Sequence, residues 1–247
     1  MEKTTAAEEA MQKVKDGDYE GAVATLFAAW SADRANLDLA IAYACLLTSI
    51  DRENEAEELF SALAEESPAD SRIWNNWGFL LLQRGDVMGA IPRLEKALEL
   101  SPSDFEALVN LGIALDRNGR TAEAIRLYRQ AVTVNPESSV VYNNLGTALW
   151  RSGEAEEALA AFRNAILYDP RDASANNNLG IIKLSQGHYR EAAEFFRLAL
   201  EIEPSGNAAR HNLKAAEAAL KEDSNRDKTL KPDVGRKKKC PEPPTLF

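Results

Sequence analysis

The chain repeats itself every 34 residues. Gly78, Gly112, Gly146 and Gly180 stand at that interval, and so do Pro68, Pro102, Pro136, Pro170 and Pro204. Ala22, Ala56, Ala90, Ala124, Ala158 and Ala192 keep the same spacing. Each is followed four residues later by a large apolar side chain: Leu26, Phe60, Leu94, Tyr128, Phe162 and Phe196. A repeat this short is one supersecondary unit. It cannot bury an apolar face alone, so neighbouring units must stack to build a continuous core.

Each unit reads as two helices. In the first, apolar residues fall at unit positions 4, 7 and 11, as Leu108, Leu111 and Leu115 do, which is one face of a 3.6-residue period. A glycine ends it, because glycine tolerates left-handed dihedrals. The slot holds Gly17, Gly85, Gly119, Gly153 and Gly187, with Asp51 in their place once. The second helix, "TAEAIRLYRQAVTV" in one unit, carries alanine on the seam where backbones approach closely. The following "NP" stops it, since proline biases its predecessor away from helical dihedrals. Pro92 falls inside one second helix and predicts a mild kink there.

Units start at Lys3, Leu37, Ser71, Phe105, Ser139 and Ala173. They resemble the tetratricopeptide repeat family, whose pattern is W-x2-L-G-x2-Y…A-x3-F…P. The resemblance implies an all-α protein, a right-handed α-solenoid of about six helix pairs plus a C-terminal capping helix. Residues 1–36 form a degenerate first repeat or cap, with Glu9 and Lys13 at normally apolar positions and Arg34 where proline belongs. Residues 37–206 form five units (37–70, 71–104, 105–138, 139–172 and 173–206). Residues 207–221 are the capping helix, with Lys214 in the glycine slot. Residues 222–247 are charged, Pro-rich and aperiodic, and are expected to be disordered.

The formal charge is −10, which argues against a broad basic face for nucleic acid. Eight Lys/Arg against five Asp/Glu from Lys221 onward make that tail slightly basic, too weakly to name a partner. Cys45 and Cys240 suggest no disulfide framework and no metal pair. Neither an apolar leader nor a membrane-length apolar run is visible, so a cytoplasmic protein with no membrane insertion is expected. His188 and His211 have no companion ligands, and no phosphate loop or nucleophile elbow appears. The sequence predicts no metal, no cofactor and no enzyme.

That leaves binding. Positions 2, 5, 6, 9, 12 and 13 of each first helix lie opposite its apolar stripe, and the resemblance implies that this face lines a concave groove. The groove candidates are Arg72, Asn75, Asn76 and Phe79, then Val109, Asn110, Ile113 and Arg117. Further along come Asn143, Asn144, Trp150 and Arg151, then Asn177, Asn178, Ile181 and Asn212; Glu106 and Val140 share the face. Asn76, Asn110, Asn144, Asn178 and Asn212 all occupy position 6. An amide both donates and accepts, so such a ladder suits an extended peptide backbone; hydrogen bonding between helices is the competing use. The family's carboxylate clamp asks for Lys at position 5 and Asn at position 9. Val109 with Ile113, and Asn143 with Thr147, do not supply it. The function expected is a non-catalytic protein-interaction scaffold that binds a protein or peptide in the groove. Self-assembly by end-to-end stacking is the alternative, and an enzyme's regulatory subunit a weaker one.

Overall fold

The computed structural model describes residues 5–230, with side chains through residue 223. Thirteen helices and no strand occur among the described residues. They are α1 (Ala6–Lys15), α2 (Tyr19–Ala32), α3 (Leu37–Ser49), α4 (Glu53–Glu66), α5 (Ser71–Gln83), α6 (Val87–Leu100), α7 (Phe105–Arg117), α8 (Thr121–Val134), α9 (Ser139–Ser152), α10 (Ala155–Tyr168), α11 (Ala173–Ser185), α12 (Tyr189–Ile202) and α13 (Asn207–Leu230). The protein is an all-α helical-repeat solenoid. The chain divides into two compact units, α1–α10 up to Pro170 and α11–α13 from Arg171 onward.

In the first unit, the pairs α5–α6, α7–α8 and α9–α10 each close on a glycine of the first helix, Gly78, Gly112 and Gly146. A Cβ added to Gly112 would sit 2.5 Å from Tyr128 Cε1, and one added to Gly146 would sit 2.7 Å from Phe162 Cε1. The first helix therefore lies directly on the aromatic ring of the second. Ala124, Ala131, Ala158 and Ala165 are fully buried along the same seams. The first helices also touch one another in series, α3 with α5, α5 with α7, and α7 with α9.

Sequence punctuation sets the helix limits. Side chains of Asp70, Asp104 and Ser138 accept hydrogen bonds from backbone N–H groups at the starts of α5, α7 and α9, satisfying donors that the helix leaves free. Turn glycines such as Gly119 (φ 82°) sit in the left-handed region, and Asp51 adopts φ 61° in the same slot. Pro92 leaves α6 running from Val87 to Leu100. At the N-terminal end, Lys13 donates to Thr25 Oγ1 at 2.7 Å and pairs with Glu9 at 2.9 Å. The Arg34 guanidinium lies 3.7 Å over the Trp30 ring.

In the second unit, Phe196, Ala192, Ala193 and Ala216 form a buried cluster that Ile181, Leu184 and Leu213 pack against. Helix α13 runs to Leu230, past the limit of 221 that the sequence suggested. From Lys221 to Leu230 there is neither Pro nor Gly, and Lys, Glu and Arg are good helix formers without a face to bury. The remainder of the expected disordered tail, 231–247, lies outside the described residues.

Candidate functional site

Helices α5, α7 and α9 pack side by side and leave a cleft of about 420 Å³ on the first unit. Asn75, Asn76 and Phe79 come from α5, and Phe105, Glu106, Val109 and Asn110 from α7. Ser138, the N-cap of α9, and Val140 and Val141 of its first turn complete the lining. The wall is mainly apolar, with Phe79 41% and Val140 59% exposed. Exposed side chains of that size next to oriented polar groups are what a partner covers.

Seven residues expected on the groove face thus meet in one cleft: Asn75, Asn76, Phe79, Glu106, Val109, Asn110 and Val140. Their exposure corrects the sequence reading in part. Asn75 is only 4% and Val109 9% exposed, because position 5 faces the stacked helix of the neighbouring repeat rather than open solvent. Phe105, Ser138 and Val141 were not anticipated. Phe105 and Ser138 lie at the helix entrance, where a wheel drawn on the helix middle carries little information, and Val141 sits on a core position.

The asparagines divide by their neighbours. Asn110 Nδ2 donates to Asn75 Oδ1 at 3.0 Å, thirty-five residues earlier. In the second unit Asn212 Nδ2 makes the same 3.0 Å bond to Asn177 Oδ1. The residues thirty-five before Asn76 and Asn144 are Ile41 and Val109, both buried and without an acceptor. Accordingly Asn76 and Asn144 make no side-chain hydrogen bond among the described residues. Asn143, Asn144 and Asn178 are half-buried.

The basic candidates are engaged inside the fold. Arg72 bridges Asp70 and Asp38, each at 2.7 Å; the hydrogen bonds from Arg72 hold the Asp70 carboxyl below the usual range. Arg117 donates to the Leu82 carbonyl at 3.1 Å, and Arg151 to Asp116 Oδ2 at 2.7 Å. Ile113 and Trp150 are half-buried. Ile181, expected as an exposed contact, packs instead on the Phe196 cluster. Cys45 is partly covered; burial, reinforced by the Glu106 carboxylate, pushes its thiol up to about 11.

Among the described residues, no group of three His, Cys, Asp or Glu is arranged to hold a metal. No helix there is long and apolar enough to cross a membrane. His188 Nδ1 lies 3.8 Å from Glu191, a surface pairing.

Known proteins frame this architecture. The structure of YrrB, described as a TPR protein with an unusual peptide-binding site, is 22% identical over 76% of this chain and 97% of its own, with a TM-score of 0.62. MamA from Desulfovibrio magneticus RS-1 is 23% identical over 69% of this chain and 96% of its own, at 0.62. The Cut9–Hcn1 assembly of the APC/C superposes at 0.76 and 17% identity, covering 85% of this chain but 42% of that one. No curated protein matches. Likeness at these identities concerns the fold. Two family models described as Tetratricopeptide repeat match residues 13–75, 75–139 and 143–209, the same stretches over which glycine, alanine and proline recur every 34 residues and fold into stacked helix pairs. The chain belongs to the tetratricopeptide repeat family.

Proposed function

We propose that the protein is a non-catalytic interaction scaffold that holds an extended segment of a partner protein in the α5–α7–α9 cleft. One observation carries this reading: exposed Phe79 and Val140 line one cleft with Asn76, whose amide is unengaged within the fold. A peptide needs both features, an apolar surface for side chains and a donor–acceptor pair for its backbone. Burying one such apolar side chain contributes about 1.5–3 kcal/mol, roughly ten- to a hundredfold in affinity. The likeness to YrrB, itself described as having a peptide-binding site, supports the same reading by analogy.

The test is capture of a cellular partner by the purified protein, compared with Phe79→Asp and Val140→Asp. Both side chains are exposed, so the melting temperature stays within a few degrees. Capture falls at least tenfold in each variant. Retention of wild-type capture by both would refute the cleft as the binding site.

A further inference from the structure

The proposed peptide cleft carries one formal charge that the fold leaves uncompensated. Position 2 of successive first helices in the first unit reads Asp38, Arg72, Glu106 and Val140. Arg72 turns back to Asp38 and Asp70 at 2.7 Å each, so its charge is spent within the fold. Glu106, exposed on the cleft wall, has no ion pair and no side-chain hydrogen bond among the described residues. Its carboxylate also helps to raise the Cys45 thiol of α3, so its field reaches beyond the adjacent α5. No basic side chain lines the cleft. Arg117 and Arg151 sit at the opposite ends of α7 and α9, held by the Leu82 carbonyl and Asp116.

A structural use for Glu106 exists. It lies in the first turn of α7, where a carboxylate interacts favourably with the helix dipole. That role is met by any first-turn acid facing solvent. It does not account for the acid's place in the same cleft lining as the exposed Phe79 and Val140 and the free amide of Asn76.

We infer that Glu106 is a specificity determinant: the cleft selects an extended segment in which a Lys or Arg stands beside an aliphatic or aromatic residue. The apolar side chain covers Phe79 and Val140, the Asn76 amide pairs with the backbone, and the cation reaches Glu106. Removing water around such a pair strengthens it above an exposed surface pair, and an acidic segment is excluded by like charge. This inference rests on the cleft being the peptide site.

A phage-displayed library of random octapeptides, panned on the wild-type protein and on Glu106→Gln, Glu106→Lys and Val140→Asp, tests it. The wild type enriches peptides with Lys or Arg next to an apolar residue. Glu106→Gln lowers that preference about three- to tenfold, in line with loss of one charged contact, and Glu106→Lys turns it toward Asp and Glu. A thermal melt monitors folding, and the neutral Gln variant preserves the side chain's shape. Enrichment of apolar peptides that ignores charge, or that is unmoved by either Glu106 variant, overturns the role of Glu106 and leaves the cleft standing as a binding site. Enrichment of nothing beyond what Val140→Asp retains overturns both.

Discussion

The Asn110 side chain donates a 3.0 Å hydrogen bond to the amide oxygen of Asn75, tying α7 to α5 across consecutive repeats. Asn144 holds the same position one repeat later, but the residue thirty-five before it is Val109, and it has no such bond. Asn110→Ala leaves the 4% exposed Asn75 without its donor, costing about 1–3 kcal/mol. Better helix propensity returns at most about 0.7 kcal/mol, so the variant is destabilised. Asn144→Ala and Asn76→Ala lose no bond and melt at or above the wild-type temperature. Chemical denaturation of the three variants measures this; equal losses at all three positions would contradict the division.

Gly112 lies on Tyr128 so closely that any Cβ meets the ring at 2.5 Å. Gly112→Ala forces helix or ring to shift, at about 1–3 kcal/mol. Ala158→Leu, at a fully buried seam, costs at least as much. Glu156→Ala, on the exposed side of the same helix, stays within about 0.5 kcal/mol. Urea midpoints rank them, and similar values for Ala158→Leu and Glu156→Ala would invert the assignment of faces.

Asp51 holds a left-handed conformation, φ 61°, where five other turns use glycine. A β-branched residue tolerates that region poorly, so Asp51→Val is destabilising by about 1–2 kcal/mol. Asp51→Gly relieves the backbone but gives the unfolded chain more freedom; its net effect lies between zero and about 1 kcal/mol of stabilisation. Thermal unfolding of the pair decides, and a Gly variant less stable than the Val variant would refute the strain.

Burial first, then the Glu106 carboxylate, lifts the Cys45 thiol from 9.0 to about 11. Because the folded value is the higher one, this thiol contributes stability fully present below pH 9.0 and lost as pH rises through about 11, on the order of 2–3 kcal/mol at most. In a Cys240→Ser background, thiolate absorbance should titrate near pH 11 in the folded protein and near 9 after denaturation. Glu106→Gln should lower the folded midpoint. A folded midpoint at or below 9 would show the thiol to be open to water.

The sequence by itself determined the architecture. Its 34-residue period assigns Leu108, Leu111 and Leu115 to the core stripe, Gly112 to contact with the following helix, and Gly119 to the turn. These are local demands of helix periodicity and backbone freedom, and the residues written at each slot satisfy them. Which asparagines are spent on the fold was not legible in one repeat. Position 6 of a first helix meets position 5 of the helix before it, thirty-five residues away, and only stacking creates that pairing. The same stacking buried Val109, drew Arg72 onto Asp38, and left Asn76 and Glu106 unengaged. Periodicity names the face of a helix, whereas the partner of each side chain on that face is set by the register of neighbouring helices, which is a property of the tertiary structure alone.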